Sequence, residues 1–185
     1  MSQQSKVILE AKIQLLKLDI LLESRNFKEI QNDFKFLIDQ YGSNDETLML
    51  QLVYFDFLVF NMNDKNKAIS LIEENLTRNL SNSSKAKMKI KLADIYLTQE
   101  KFNLALIYYT QVYNQIKTGD LAQEARFKVA KTSFYKGDFD WAESQLNILK
   151  SSTSKLIAND ALKLKLLIND YKLKDSLNLP LKLYA

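Results

Sequence analysis

Two residue types are absent from this chain of 185 residues, cysteine and histidine. Without cysteine there is no disulfide framework, no thiolate metal site and no thiol nucleophile. Without histidine the chain lacks the commonest general base and the commonest metal ligand. The sequence has no glycine-rich phosphate loop, and no two of its carboxylates form a recognisable pair at a meaningful spacing. We therefore predict a protein that is not an enzyme, with no catalytic residues, no metal and no cofactor.

Glycine and proline are scarce, with three and one residues respectively. This scarcity argues against sheets joined by many tight turns and against disordered linkers. Leu, Ile, Lys, Glu, Gln and Asn dominate instead, and a hydrophobic content of 46% is sufficient for a core. We therefore predict an all-α protein.

Long apolar runs are also missing. No segment reaches the roughly 18 uninterrupted apolar residues of a membrane-spanning helix. The first 25 residues are punctuated by charges and predict an amphipathic helix rather than a secretory signal. The expected location is the cytoplasm if Met1 is the natural start, with the periplasm as the alternative if the sequence is excised from a longer protein.

The net charge of +4 is carried almost entirely by lysine, because only Arg25, Arg78 and Arg126 are arginines. Arginine is the preferred residue for binding phosphates and base edges, so its scarcity disfavours nucleic acid as a partner. The lysine-rich run KAKMKIK, Lys85 to Lys91, would have its charges divided between different sides of a helix. A solvated helix face is therefore favoured, and a basic surface for RNA or anionic lipid remains an alternative.

A pattern recurs along the chain about every 37 residues. Its anchor is a small or apolar residue, followed four positions later by an aromatic or apolar one. The anchors are Ile30, Ala68, Ala105 and Ala142, with separations of 38, 37 and 37. An amphipathic segment precedes each anchor, so each unit is predicted to be two helices joined by a short turn. The predicted units span residues 6–42, 45–80, 84–118 and 120–152, with a partial unit at 155–185, in a single domain of residues 1–185.

Clusters of Gly, Asn, Ser, Thr and Asp separate the units, at residues 41–45, 79–84, 117–120 and 151–154. Such residues end one helix and cap the next. Gly42 and Gly119 are expected to end helices, and Gly137 to lie in the turn inside a unit. Trp141, beside an anchor, is expected to pack at a repeat junction rather than to bind a ligand.

The segment LQLVYFDFLVF, residues 50–60, is the one local conflict. Its β-branched and aromatic residues alternate partly, as in a strand. A lone strand in a helical array would have no partner for its backbone groups. We therefore predict a helix that is apolar on several sides.

The repeat resembles the tetratricopeptide repeat (TPR). In the third unit the matching positions are Leu92, Ala93, Tyr96, Phe102, Ala105 and Tyr109. In the fourth they are Val129, Ala130, Gly137, Asp138, Phe139, Ala142 and Leu146, while Ser133 stands where an aromatic is usual. The later units look like a segment of large multi-repeat bacterial TPR proteins. The resemblance implies an α-α superhelix (TPR-like solenoid) of four helix–turn–helix units plus a fifth partial unit.

In TPR proteins the first helices of the units line a concave groove that binds an extended peptide or a helix of a partner protein. The resemblance therefore implies a non-enzymatic scaffold for protein–protein interaction, with the partner unidentified. A helical regulatory domain of a larger protein is an alternative.

Seven residues are candidates for lining this groove. An acidic column followed by a lysine recurs in one slot of the first helices, and three aromatic residues lie nearby: Asp19, Asp56, Asp94, Lys131, Phe127, Phe134 and Tyr135. The acidic column suits a basic or polar peptide, with the aromatic residues as apolar anchors. The alternative is that each Asp pairs with a Lys of a neighbouring helix or stays solvated.

The last predicted helix carries Leu162, Leu164, Leu166 and Leu167, which the short remaining sequence would leave partly uncovered. Repeat arrays need polar outer faces at their ends. The chain is therefore expected to be part of a longer repeat protein, or to self-associate through this C-terminal repeat face.

Overall fold

The structure, a computed structural model, describes residues 1–149, 154–172 and 179–184. Within these ranges all regular structure is helical. The α-helices are α1 (Gln3–Leu22), α2 (Phe27–Tyr41), α3 (Leu48–Phe60), α4 (Lys65–Leu76), α5 (Asn82–Leu97), α6 (Phe102–Gln115), α7 (Asp120–Tyr135), α8 (Phe139–Leu149), α9 (Lys155–Lys172) and α10 (Leu179–Tyr184), with a 3₁₀ helix at Asp45–Thr47. The prediction of an all-α protein is confirmed.

The chain forms two compact units, residues 1–88 and residues 89–185, and α5 contributes to both. The first unit contains α1 to α4, and the second contains α6 to α10. The predicted single domain with its repeat boundaries stays a prediction.

The repeat anchors are among the most deeply buried residues of the chain. Ile30, Ala68, Ala105 and Ala142 are all 0% exposed. Each lies near the start of the second helix of its pair, where a small or compact side chain lets the two helices approach closely. The repeat frame therefore identified four core positions from spacing alone.

In the first unit, α3 supplies more core residues than any other helix, and its prediction as a helix is confirmed. Eight of its residues are buried, on several sides of the helix. The ring of Phe34 from α2 stacks on Tyr54 at 5.1 Å between centroids and lies 5.5 Å from Phe57. Aromatic contacts of this kind hold α2 against α3.

In the second unit, one core cluster joins α7, α8, α9 and α10. Its buried members are Ala130, Phe134, Phe139, Ala142, Leu146, Leu149, Ala161, Ile168 and Leu181. The tilted contact of Phe134 with Phe139, 5.4 Å between centroids, fixes α7 against α8.

The turn inside each of the four helix pairs from α1 to α8 contains one residue in the left-handed region. These residues are Glu23, Asn63, Glu100 and Gly137, with φ of 49°, 52°, 57° and 85°. Gly137 adopts this conformation without the steric cost that a side chain brings. Its predicted place in the turn is confirmed, and the other three pairs make the turn with a non-glycine residue.

Gly42 and Gly119, in the segments between helix pairs, were both predicted to end a helix, and the structure confirms this for Gly42 alone. Gly42 ends α2, with φ of 75° and its N–H donating to the carbonyl of Ile38. The prediction for Gly119 is wrong, because α6 ends at Gln115 and Gly119 immediately precedes α7. Residues 151–153 of the last predicted cluster lie outside the described residues.

Asp45, at the start of the 3₁₀ helix, makes a connection that spans 36 residues. Its carboxylate accepts hydrogen bonds from the Ser81 backbone N–H at 3.0 Å and from the Ser81 hydroxyl at 2.9 Å. Ser81 in turn caps the N-terminus of α5, because its Oγ accepts from the Ser84 N–H. Hydrogen bonds from Ser84 and Ser81 hold the pKa of Asp45 below its usual value.

Candidate protein-interaction faces

In the first unit, Asp19 lies near the end of α1 and is already hydrogen-bonded within the fold. It accepts from the Ser24 hydroxyl at 2.8 Å and from Nη1 of Arg25 at 3.4 Å. Arg25 also binds Asp33 at 2.7 Å and approaches Glu29 at 3.8 Å. The hydrogen bond to Asp33 is the largest influence raising the pKa of Arg25. The single positive charge of Arg25 is thus shared by three carboxylates, and this cluster has a net negative charge.

A groove of about 350 Å³ runs between α1 and α2 beside this cluster. Its apolar wall includes Leu15 and Phe36, which are 61% and 62% exposed. Lys12 lines it together with Asp19. The groove is therefore open, apolar along its length and charged at its margin.

Asp56, the second member of the acidic column, lies on α3 and is half-buried. A second cleft of about 350 Å³ lies between α2 and α4 in the same unit, and sequence reasoning missed it. Gln51 and Asn75 line this cleft, and each has a buried amide oxygen without a hydrogen-bond partner among the described residues. The amide nitrogen of Asn75 is used locally, donating to the Leu71 carbonyl at 2.8 Å.

In the second unit, Asp94 on α5 joins two neighbouring helices. The buried hydroxyl of Tyr109 on α6 donates to its carboxylate, and Nζ of Lys128 on α7 lies 2.7 Å from the same oxygen. Burial, and then the charge of Asp94 and this hydrogen bond, raise the pKa of Tyr109 far above its ordinary value. Asp94 is therefore a three-helix junction, and its side chain is still 34% exposed.

The remaining predicted groove residues lie on α7. Lys131 is exposed, with its Nζ 5.7 Å from the ring centroid of Tyr135. Phe127 and Tyr135 are half-buried against the core cluster of this unit. Phe134 is 1% exposed and belongs to the core itself, so its side chain does not reach the surface.

Two further expectations concern the second unit's surface. Trp141 was expected to pack at a junction, yet it is 51% exposed. On α9, Leu162 and Leu166 are 47% and 51% exposed. Leu164 and Leu167 instead pack against the core cluster. The C-terminal leucines are therefore covered in part, as the sequence indicated.

The strongest apolar surface of the first unit was not among the predicted sites. Helix α1 exposes Val7, Ile8, Leu15, Leu18, Leu21 and Leu22. The sequence of α1 places apolar residues on two opposite faces of the helix. This pattern could have identified the exposed surface, because a helix with one solvated face carries polar residues there.

Among the described residues, no helix is both long enough and apolar enough to cross a membrane. No group of three or more Asp or Glu in the described part of the chain could hold a metal ion.

No family model matches the chain, and no curated protein sequence matches it. Among solved structures, the chain is similar to a crystal structure of nearly identical TPR-like repeats from a proposed kinesin light chain of Podosopora anserina. The two superpose with a TM-score of 0.69 over 98% of this chain and 93% of the other, at 12% sequence identity. Identity this low carries the fold alone. The chain therefore has a TPR-like helical repeat fold.

Proposed function

We propose that this chain is a non-enzymatic scaffold that binds an extended peptide or a helix of a partner protein along the first helices of its pairs. The observation that carries the proposal is the TPR-like repeat fold over nearly the whole chain. Stacked helix pairs of this type present an extended surface that suits a peptide or a helix of a partner protein.

The partner segment in this proposal is basic or polar, because carboxylates recur on the first helices. Asp19 and Asp56 serve this role in the first unit and Asp94 in the second. The Asp94 side chain, which is about one-third exposed, remains accessible to a further donor beside Tyr109 and Lys128.

On α7, Lys131 and the accessible edges of Phe127 and Tyr135 supply a cation and apolar contacts. Phe134 supports these residues from the core, since it is almost fully buried.

A displayed library of random peptides, selected on the purified chain, tests the proposal without a known partner. Enriched peptides are expected to combine Lys or Arg with an apolar residue, and their affinities follow from fluorescence anisotropy. Asp56→Asn should weaken the binding of such a peptide by about two- to fivefold, the range for a partly exposed charge pair. Asp39→Asn, the same change on the exposed surface of a second helix, is the matched control and should have no effect.

Two results would contradict the proposal. One is the absence of any enriched peptide. The other is a preference for acidic peptides or heparin with steep salt dependence, which would favour a basic surface for RNA or anionic lipid.

A further inference from the structure

Helix α1 has two apolar faces on opposite sides. One packs into the core of the first unit through Leu9, Ile13 and Leu16, which are at most 4% exposed. The other consists of Ile8, Ala11, Leu15, Leu18 and Leu22, and we call these five residues the outer stripe. All five are exposed, and Leu15 and Leu22 are more than 60% exposed. A helix with a solvated outer face would carry polar residues there.

The outer stripe has the spacing of a helix–helix seam. Its members follow one another at intervals of three, four, three and four residues. This is the spacing of the core positions of a coiled coil, where each apolar side chain enters a hole on the facing helix. The α1–α2 groove adjoins the stripe, and the exposed ring of Phe36 extends the apolar surface beyond Leu15. A contiguous apolar surface of this kind marks an interaction site.

The charges beside the outer stripe identify what covers it. Lys12 and Asp19 lie seven residues apart on the same edge of α1, and both line the α1–α2 groove. Around Asp19 the charge is net negative, because Arg25 is shared with Asp33 and Glu29. One end of the stripe is therefore positive and the other negative, so the surface is complementary to an inverted copy of itself.

Register follows from the same positions. In an antiparallel pair of α1 helices, Leu15 packs against Leu18 of the second copy, and residues one position after the seam meet across the edge. Lys12 then lies opposite Asp19 of the second copy, and two-fold symmetry produces this contact twice. A parallel pair would set Lys12 beside Val7 or Gln14 of the second copy, with no charge partner.

We propose that the outer stripe is the interface of a two-fold symmetric homodimer in which the α1 helices of two copies pack antiparallel. The proposal does not rest on the peptide-binding function, although α1 and Asp19 take part in both, and the outer stripe itself is not used by the peptide. Its occupant is a second copy of this chain, because the stripe is self-complementary in both apolar spacing and charge.

Sedimentation velocity of the whole chain over a wide concentration range measures the dimer directly. Leu18→Glu should raise the dimer dissociation constant at least roughly a hundredfold, because it places a charge in the centre of the seam. Leu156→Glu on α9, where the leucine is 72% exposed, is the matched control and should leave the dimer intact. Since both leucines are exposed, circular dichroism should show unchanged helix content for both variants.

A charge exchange tests the register. Lys12→Glu and Asp19→Lys should each weaken the homodimer about tenfold, because each creates two like-charge contacts. Mixing the two variant chains should restore a heterodimer, since both contacts then join opposite charges. The mixture, unlike either variant alone, reports on pairing rather than on folding.

Three outcomes would overturn the proposal. A wild-type chain that is monomeric at every concentration has no such interface. A dimer lost with Leu156→Glu and kept with Leu18→Glu would place the interface on α9. A mixture of the charge variants that stays monomeric would rule out the antiparallel register.

Discussion

Tyr109→Phe removes a single hydroxyl from the junction of three helices in the second unit. In the wild type this buried hydroxyl donates to Asp94, which also binds Lys128. A hydrogen bond to a charged acceptor contributes about 1.5–3 kcal/mol. Water replaces the lost donor in part, because the Asp94 side chain is 34% exposed. We therefore expect the free energy of unfolding at pH 7 to fall by the lower figure, about 1.5 kcal/mol.

The difference in free energy of unfolding between wild type and Tyr109→Phe should depend on pH, and this dependence is the more specific test. The folded-state pKa of Tyr109 is raised, mainly by burial and then by Asp94, so the folded protein keeps the proton when the unfolded chain loses it. The stabilisation is complete below the unfolded pKa of about 10 and is lost as pH rises above it, by about 1.4 kcal/mol per pH unit. Wild type and Tyr109→Phe should therefore become equally stable near pH 11.

Urea unfolding followed by the fluorescence of Trp141, the single tryptophan, gives both free energies. Trp141 lies on α8, in the same unit as Tyr109, so its signal reports on the unfolding of that unit. Tyr135→Phe is the control for loss of a half-buried phenolic hydroxyl. A difference between wild type and Tyr109→Phe that stays constant from pH 7 to pH 11 would refute the reasoning, because the hydroxyl would then not be held neutral by its surroundings.

Three further predictions concern the backbone, the core and the connection between helix pairs. Gly137→Ala should lower the free energy of unfolding, measured in urea, by about 1 kcal/mol. The cause is backbone strain at a φ of 85°, because no atom within 4 Å would clash with the added Cβ. An unchanged free energy of unfolding would show that alanine fits this turn without strain. Thr132→Val should raise the free energy of unfolding by about 1 kcal/mol without changing the slope of its dependence on urea concentration, because the Thr132 hydroxyl is buried with no partner among the described residues. A lower free energy of unfolding would mean that the Thr132 hydroxyl is hydrogen-bonded in the folded protein. Asp45→Asn should destabilise at neutral pH and become indistinguishable from wild type in acid, because the lowered pKa of Asp45 confines its stabilisation to pH values above its folded pKa. Denaturant midpoints at pH 7 and in acid test this, and an equal offset at both would contradict it.

Features that repeat were predictable from the sequence. The anchors Ala68, Ala105 and Ala142 recur at a fixed period, and each is fully buried. The segment of residues 50–60 is helical as predicted, although its residue types favour a strand. Its position within the repeat gave the correct prediction, because the helix is buried by packing on several sides.

Features that depend on side-chain direction were less accessible. Phe134 was predicted to lie beside the acidic column at the groove, yet its side chain is in the core, where residues of α8 and α9 pack over it. Asp94 fits the acidic column, but its pairing with Tyr109 and Lys128 depends on two other helices. Trp141 is one residue from an anchor, and this difference of about 100° on a helix places it half in solvent.

The bond between Asp45 and Ser81 has a consequence for amide hydrogen exchange. Backbone N–H groups at the start of a helix have no carbonyl partner inside that helix and usually exchange quickly with solvent. The Ser81 amide is instead covered by a carboxylate that belongs to the preceding helix pair. Its exchange rate should therefore follow the opening of residues around Asp45 rather than the fraying of α5, so a single amide signal reports when two neighbouring helix pairs separate.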